Sequence, residues 1–361
     1  MPAGQLERIK IEGFRSIRAL DLELGPINIL IGANGSGKSN FLSFFDFYRQ
    51  FENRNLAYHV SQQGGADNIL HFGAKQTKSL NFEFDFAVAD EQRRTCLVPT
   101  VADTFFIQHE KRDVIVEDEK RNKKRLAYPP FLESGNTESG FPLDDFNTKT
   151  RNWRRYHFHD TGETAGIRKT SRTNQTQLLA RDGENLSAFL HHLRGESATH
   201  YHRIVATIQR VAPFFLDFVL EPEGQGGKFM RLCWRHRGSE AVFDASDFSD
   251  GTLRFICLVT LFLQPQMPQL ILLDEPELGL HPFALAILAG LIRSVSDTTQ
   301  VIASTQSVTF ANQFAATDII VVDQIDNASE FSRLDLERLK DWLDDYGVGD
   351  LWEKNLLGGM P

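Results

Sequence analysis

The stretch GANGSGKS, Gly32–Ser39, carries residue types that hold phosphate groups. It fits the pattern G-x-x-x-x-G-K-[ST], with an apolar run before it and helical spacing after it. Glycines let successive backbone N–H groups turn toward phosphate oxygens, and the positive end of the following helix faces the same anion. We predict that Lys38 reaches the β- and γ-phosphates of a nucleotide and that Ser39 ligates Mg²⁺. The predicted nucleotide-binding residues here are Asn34, Gly35, Ser36, Gly37, Lys38, Ser39 and Asn40.

A second group of polar residues follows the apolar run LILL in LILLDEPELGLHP, residues 270–282. Asp274 comes at the carboxyl end of the predicted strand, where ligands sit in open α/β sheets, and it can hold Mg²⁺ through water. Glu275 follows directly and can polarise an attacking water as the catalytic base. The alternative is an ordinary acidic strand-to-turn junction. Glu277 and His281 fit the site and a solvated turn equally well.

The third stretch, DFSDGTLRF at residues 247–255, contains neither a metal motif nor a catalytic triad. Its hydroxyl side chains and backbone N–H groups stand at the start of a predicted helix, and such a helix start forms an anion site. The simpler interpretation is a helix N-cap made by Ser249 or Asp250.

These groups must be positioned by the elements that the sequence pattern indicates. RIKIEGF and ALDLELG alternate apolar and polar residues, as paired antiparallel strands do, and SLNFEFDFAV alternates again. INILIG, QLILLDE, QVIAST and DIIVVD predict further strands, the first of them buried directly before the phosphate loop. Helices are predicted from Asn40, after Asp250, from about residue 282, and as a pair near residues 184–213.

Composition limits the class of protein. The 361 residues are 41% hydrophobic, enough for two domains or for one domain with an insertion. Cys96, Cys233 and Cys257 lack paired or metal-like spacing, which suits a reducing cytoplasm. The N-terminus lacks a signal-peptide pattern and the run FICLVTLFL is too short to cross a bilayer, so we expect a cytoplasmic protein without membrane contact. The net charge of −9 argues against a general nucleic-acid coat but allows a local basic surface.

The middle of the chain holds two basic stretches that could contact DNA phosphates. These are KRNKKR at residues 120–125, which also fits a solvated loop, and RNWRRYHFHD at residues 151–160, which also fits a strand edge. In the second stretch His157 and His159 alternate, but they lack the partners of a metal site. The DNA hypothesis depends on the cations Lys123, Lys124, Arg125, Arg154 and Arg155.

Taken together, the phosphate loop, FSDGTLRF, the acidic strand end and the later ASTQS resemble the ABC-type ATPase heads of the SMC and RecF group. More narrowly, they resemble bacterial RecF-like AAA family ATPases related to the OLD proteins. The resemblance implies an α/β P-loop NTPase of ABC-head type, with a mixed central sheet, helices, and ATP and Mg²⁺ as cofactors. We predict a discontinuous head at residues 1–86 and 241–330, an inserted α+β middle segment at 87–240, and a C-terminal helix and tail at 331–361.

The resemblance also assigns roles to individual residues. In such heads the signature stretch contacts the γ-phosphate of ATP held by the opposite subunit, which implies this role for Ser249, Asp250, Gly251 and Thr252. The usual signature has two adjacent glycines, whereas this chain reads S-D-G-T.

Three further positions match the group's pattern. Arg15 in GFRSI falls where an arginine contacts nucleotide, with a surface arginine as the alternative. Gln62 or Gln63 in SQQGG falls where a glutamine senses Mg²⁺ and water; we place Gln63 among the metal residues, and a polar loop is the alternative. Gln306 stands where most heads have a histidine, and because glutamine carries no proton at neutral pH we expect slow hydrolysis.

The sequence leaves two functions of different class open. The first is an ATP-driven switch that closes as a homodimer and regulates DNA contact or a partner effector. By the resemblance, that effector is a separate nuclease or toxin, and the setting is anti-phage defence or DNA repair. The second is a stand-alone nucleic-acid-processing enzyme with its own catalytic site in the middle segment. We favour the first because the middle lacks a clustered set of catalytic carboxylates and histidines.

Overall fold

A computed structural model describes residues 5–87, 91–117, 123–128, 150, 152–343 and 345–359. Its strands in the first half are β1 (Leu6–Phe14), β2 (Ile17–Glu23), β3 (Ile27–Ile31), β4 (Leu80–Phe86), β5 (Glu91–Pro99), β6 (Phe105–Glu117), β7 (Lys123–Tyr128) and β8 (Trp153–Tyr156). The helices in this half are α1 (Lys38–Glu52), α2 (Leu56–Gln62) and α3 (Gly73–Gln76).

The second half contains ten further strands and seven further helices within the described residues. The strands are β9 (Ser171–Arg172), β10 (Phe215–Val219), β11 (Pro222–Glu223), β12 (Phe229–Met230), β13 (Cys233–His236), β14 (Val242–Asp244), β15 (Leu270–Asp274), β16 (Gln300–Ser304), β17 (Ile319–Ile325) and β18 (Ala328–Arg333). The helices are α4 (Leu186–Glu196), α5 (Ala198–Val211), α6 (Asp250–Leu263), α7 (Pro282–Val295), α8 (Val308–Ala311), α9 (Leu336–Leu343) and α10 (Val348–Glu353).

The chain forms two compact units. The first contains Met1–Trp153, Pro268–Leu272 and Ser296–Pro361, and the second contains Arg154–Met267 and Leu273–Val295. These divisions differ from the sequence-based domain boundaries, because the strands after residue 90 continue the first sheet instead of starting an inserted lobe. β5 pairs with the edge of β4 over seven residue positions. The strands that follow therefore extend the first sheet.

The first unit contains two sheets. The antiparallel sheet has the order β2-β1-β4-β5-β6-β7 and confirms the predicted pairing of the two N-terminal strands. The second sheet runs β18-β17-β3-β16-β15, with β17, β3 and β16 parallel. All five residues of β3 are buried, as its largely apolar run predicts, and the one polar residue among them is Asn28. The carboxyl ends of β3 and β16 therefore share one edge of this sheet.

A set of aromatic side chains fixes helix α1, which follows the phosphate loop. Its buried residues include Phe41, Phe44, Phe45, Phe47 and Tyr48, and the rings of Tyr48 and Phe84 from β4 lie 4.6 Å apart. At the end of α1, Glu52 forms an ion pair of 2.6 Å with buried Arg93 of β5. Because the helix is anchored along its length, its first turn is a rigid support for the loop that precedes it.

The basic stretch KRNKKR is only partly within the described residues. Lys123, Lys124 and Arg125 lie in β7, where their backbones pair with residues 115–117 of β6. A solvated loop is therefore the wrong interpretation for these three residues, because the β6 edge offers backbone hydrogen bonds that order the segment as a strand. Residues 120–122 lie outside the described part of the chain.

The second unit has a helical layer and two small sheets. Its helices α4 and α5 confirm the helical pair predicted near residues 184–213, and the sheets have the orders β10-β13-β14 and β11-β12-β9. Trp234 of β13 stacks on Phe248 with ring centroids 4.4 Å apart. This stacking fixes the residue immediately before Ser249 and the start of α6.

Candidate nucleotide-binding site

The loop between β3 and α1 encloses the ammonium group of Lys38. Lys38 Nζ donates to the carbonyl oxygens of Gly32 at 2.5 Å and Ala33 at 2.8 Å, and the residue is 5% exposed. Helix α1 begins at Lys38, so the N–H groups of its first turn have no carbonyl partner four residues earlier within the helix. A buried ammonium and a helix N-terminus thus concentrate positive potential at one place.

Backbone packing shapes the loop, and one of its buried hydroxyl groups lacks a partner. A Cβ atom at Gly32 would lie 2.1 Å from the carbonyl oxygen of Val322, so the close approach of these backbones requires glycine. The Ser36 hydroxyl is buried and has no hydrogen-bond partner within the described structure. An unpaired buried hydroxyl is costly, and a phosphate oxygen is an acceptor that would pair it. Asn34 and Gly35 lie exposed at the outer side of the loop.

The two residues that follow Lys38 differ in their surroundings. Ser39 is exposed in the first turn of α1, as a metal-ligating hydroxyl must be. The Asn40 amide nitrogen donates to Ser16 Oγ at 2.8 Å, and Ser329 Oγ donates to the same atom at 2.7 Å. In this structure Asn40 therefore ties the β1–β2 turn to α1.

Arg15 and Gln63, predicted independently from the sequence, contact one another. Arg15 Nη2 donates to Gln63 Oε1 at 2.7 Å, and Nη1 donates to Ser43 Oγ at 3.1 Å. Ser43 lies one helical turn after Ser39, so this arginine connects Gln63 to the helix of the phosphate loop. Gln62 is the last residue of α2; the contact with Arg15 distinguishes Gln63 from it, and the role of Gln63 at the metal stays a prediction.

Gln306 follows β16 at the sheet edge that also carries the phosphate loop. The Thr305 N–H donates to the carbonyl oxygen of Leu30 at 2.9 Å, which fixes the chain one residue before Gln306 beside the end of β3. Ser307 then begins α8 as an N-cap, accepting from the Phe310 N–H.

In the second unit, Asp274 is held by Arg155 of β8 and by His159, which follows that strand. Arg155 Nη2 donates to Asp274 Oδ2 at 3.0 Å, with side chains 11% and 14% exposed. A ring nitrogen of His159 hydrogen-bonds the Asp274 carbonyl oxygen. This ion pair places Arg155 in the acidic site, so it is not the exposed DNA-binding cation that the sequence suggested. No cluster of three His, Cys, Asp or Glu side chains suited to a metal occurs among the described residues.

Glu275 has a left-handed backbone, with a φ of 43°, in the turn that follows β15. Non-glycine residues in this region cost free energy and occur often at functional sites. The carbonyl oxygens of Glu275 and Glu277 accept from the Leu278 and Leu280 N–H groups, which forms a compact turn. His281 Nδ1 accepts from the Phe283 N–H at 3.2 Å, a local contact at the start of α7.

We expect Glu275→Gln to lower the rate of ATP hydrolysis about 100-fold, since glutamine keeps the shape of the side chain but loses its basicity. ATP affinity should stay close to that of the parent protein, measured by equilibrium binding beside steady-state turnover. Glu184→Gln, which changes an exposed carboxylate of the same unit, is the matched control. Unchanged turnover in the Glu275 variant would remove this residue from the mechanism.

The start of α6 confirms Ser249 as an N-cap, while its contact with a second nucleotide stays a prediction. Ser249 Oγ accepts from the Thr252 N–H at 3.2 Å and lies 2.8 Å from Thr252 Oγ1. Arg168 Nη2 donates to Asp250 Oδ1 at 2.9 Å, and this hydrogen bond lowers the pKa of the exposed Asp250 carboxyl group. The turn therefore presents hydroxyl and N–H groups at a helix start while a neighbouring arginine offsets the charge of its aspartate.

Arg254 fixes the signature helix to the turn that contains the acidic residues. It is 5% exposed, and its guanidinium donates to the carbonyl oxygens of Phe158 at 2.9 Å, His159 at 3.1 Å, and Leu278. Burial lowers the pKa of this guanidinium. A Cβ atom at Gly251 would lie 2.2 Å from the Gly279 carbonyl oxygen. The helix start and the acidic turn are therefore in direct backbone contact.

Sequence reasoning missed Arg155, Arg168 and Arg254 as residues that organise the site. Arg254 had a detectable signal, because it is a single cation inside an otherwise apolar helix, where a charge needs partners. Arg155 was noticed only as a cation beside aromatic residues. Arg168 had no local signal, since its partner Asp250 lies 82 positions away in the chain.

The phosphate loop, the parallel strands that end beside it and the signature helix define an ABC-type P-loop ATPase head of the RecF and SMC type. The chain belongs to the family described as "AAA domain, putative AbiEii toxin, Type IV TA system", whose model matches residues 27–312.

Similar proteins agree with this class. The DNA replication and repair protein RecF of Actinobacillus pleuropneumoniae serotype 5b (strain L20) is 38% identical over 71 residues, which cover 19% of this chain and 18% of that protein. The matched stretch is thus about a fifth of the relative's length. The RecF proteins of serotypes 3 and 7 give the same values.

Two solved structures share the fold at low sequence identity. An SmcHead bound to the C-winged helix domain of ScpA has a TM-score of 0.59 and 16% identity, covering 93% of this chain and 99% of that one. An Smc head bound to the C-terminal domain of ScpA derived from Pyrococcus furiosus has a TM-score of 0.56 and 15% identity, covering 94% and 98%. Among the described residues, none of the helices combines the length and apolar character needed to cross a membrane.

Proposed function

We propose that this protein binds ATP with Mg²⁺, hydrolyses it slowly, and acts as a molecular switch that closes by pairing two heads. The observation that carries the proposal is the phosphate loop, which combines buried Lys38, the N-terminus of α1 and the unpaired Ser36 hydroxyl. Membership of the AAA family supports ATP as the nucleotide.

Each predicted residue then has a chemical task. Lys38 would exchange its bonds to two loop carbonyls for phosphate oxygens, a stronger charge-assisted contact. Ser39, Asp274 and Gln63 would hold Mg²⁺, which neutralises phosphate charge when it is bound. Glu275 would accept a proton from the attacking water.

Turnover should be slow because Gln306 replaces an ionisable side chain. A glutamine amide can orient a water or a phosphate oxygen through hydrogen bonds, but it cannot accept a proton at neutral pH. A slowly hydrolysing head stays in the nucleotide-bound state long enough to act as a switch, and loss of the γ-phosphate would reverse it.

The pairing of two heads is proposed from the signature turn. Ser249, Gly251 and Thr252 would contact the γ-phosphate of ATP held by a second copy, and two such contacts related by twofold symmetry make one closed interface. ATP would then be part of the interface, so its affinity for the pair would exceed that for the single chain.

We further propose that the closed dimer acts on DNA or on a separate nuclease or toxin, in anti-phage defence or DNA repair. The family description, which names a putative toxin, supports the effector, and the local identity to a DNA replication and repair protein supports DNA.

Salt dependence separates these two partners. If Lys123, Lys124 and Arg125 bind DNA phosphates, replacing all three by alanine should weaken DNA binding and reduce the slope of log affinity against log salt by about 0.9 per lost contact. The double variant Arg235→Ala, Arg237→Ala removes exposed cations of the second unit and serves as the control. If the parent protein binds no DNA at low salt, with or without ATP, the regulated partner is a protein.

A further inference from the structure

The hairpin between β5 and β6 ends in an ordered turn. Thr100 N–H donates to the Thr104 carbonyl oxygen at 2.8 Å, and the two threonine hydroxyls lie 2.8 Å apart. Asp103 occupies this turn with a left-handed φ of 55°, and its N–H donates to the Thr100 carbonyl oxygen at 3.0 Å. The hydrogen bonds within the turn thus fix the position of the Asp103 side chain.

Asp103 contacts the loop that follows Gln63 through both its backbone and its carboxylate. Its carbonyl oxygen accepts from the Ala66 N–H at 2.9 Å, and its Oδ1 accepts from the Asp67 N–H at 3.0 Å. Its Oδ2 lies so close to Gly65 that a Cβ atom there would be 1.7 Å away. The loop and the hairpin tip are therefore in close backbone contact.

The same loop begins after Gln63 and is hydrogen-bonded to Arg15. Gln63 accepts from Arg15 at 2.7 Å, and Asn68 donates to the Gly64 carbonyl oxygen at 3.1 Å. The Arg15 N–H donates to the Ile69 carbonyl oxygen at 2.8 Å. Asp103 holds the middle of a loop whose two ends are tied to Arg15.

We propose that Asp103 is a positioning residue that sets the placement of Gln63 and Arg15 at the nucleotide site. The inference rests on the proposed function and adds to it a role for the β5–β6 hairpin. Two consecutive glycines, Gly64 and Gly65, make the chain after Gln63 intrinsically mobile, so an external anchor is needed to keep the glutamine in place. Small misplacements of a catalytic group lower rates strongly.

The test compares Asp103→Gly with Asp103→Asn. Glycine adopts the left-handed backbone without strain but removes the carboxylate, whereas asparagine keeps both the backbone preference and an oxygen that accepts from Asp67. The matched control is Asp326→Gly, which changes an aspartate of similar φ, 49°, in the β17–β18 turn.

Two measurements separate positioning from general stability. Without nucleotide, hydrogen exchange of the Asp67 amide should be about tenfold faster in Asp103→Gly, as for one lost hydrogen bond. The Mg²⁺ concentration for half-maximal hydrolysis should rise about tenfold, as when an outer-shell partner of a metal ligand is lost. Asp103→Asn should restore both quantities, and thermal unfolding should show that all variants are folded.

The outcomes distinguish this inference from the proposed function. Parental Mg²⁺ dependence in Asp103→Gly, in a protein that hydrolyses ATP, would overturn the positioning role and leave the switch intact. Equal shifts in Asp103→Gly and Asp326→Gly would also overturn it. A parent protein that does not bind ATP would refute the proposed function, and the positioning role with it.

Discussion

Replacing Lys38 by alanine should remove ATP binding while the protein stays folded. The Lys38 ammonium already lies inside the loop, bonded to two carbonyls, so the variant loses the buried cation that the loop encloses. A charge-assisted hydrogen bond contributes up to about 3 kcal/mol, which corresponds to roughly a 100-fold loss of affinity from this contact alone. Equilibrium binding of labelled ATP measures the loss.

The matched control for this substitution is Lys78→Ala. Lys78 Nζ also donates to two backbone carbonyls, those of Ala74 at 2.9 Å and Lys75 at 2.8 Å, but it is exposed and lies between α3 and β4, outside the phosphate-loop motif. We expect parental ATP affinity in this control. If the Lys38 variant binds ATP as well as the parent protein, the assignment of the phosphate loop is wrong.

Ser249→Arg should leave ATP binding by the single chain nearly intact and abolish ATP-dependent pairing and hydrolysis. The serine stands at an exposed helix start, where its hydroxyl accepts from Thr252. An arginine there removes the N-cap, at a cost of about 1 kcal/mol, and places a bulky side chain where a second nucleotide would lie. Light scattering with and without ATP measures the pairing.

Ser249→Thr separates this steric effect from the loss of the cap. Threonine keeps the capping hydroxyl and adds only a methyl group, so pairing and hydrolysis should stay near parental values. Parental hydrolysis in Ser249→Arg would mean that the turn is a helix cap and nothing more.

A mixture of the Lys38→Ala and Ser249→Arg proteins gives the sharpest test of pairing. Each should be inactive alone, but a mixed dimer contains one site with an intact Lys38 from one chain and an intact Ser249 from the other. Partial hydrolysis should therefore return on mixing. If both variants fold and pair but the mixture remains inactive, the composite site does not exist.

Strands whose apolar and polar residues follow a regular pattern were predictable from the sequence. β1, β2 and β4 alternate, β3 is apolar except for Asn28, and each occurs where its pattern places it. The strands β5 to β7 were not predicted because segments rich in charge resemble loops until the edge of a neighbouring strand pairs with them.

The residues of the candidate site also fall into those that the sequence predicts and those that it does not. Lys38 and Ser36 were found because their motif is contiguous in the chain, so local spacing fixes their geometry. The roles of Arg155 and Arg168 in the site were not predicted, because each side chain acts through a partner far away in the sequence. These partners are Asp274 and Asp250, respectively. Single residues of this kind leave no periodic trace, and only the folded backbone brings them to their partners.

The contact between Gly251 and Gly279 explains why the signature stretch needs glycine at position 251. The resembling heads usually have two adjacent glycines in this stretch. This chain has aspartate at position 250 and glycine at position 251. The Asp250 side chain is 66% exposed and has room, whereas any side chain at 251 would meet the Gly279 carbonyl oxygen at 2.2 Å. Position 250 therefore has space for a side chain, here paired with Arg168, whereas the neighbouring backbone requires glycine at position 251.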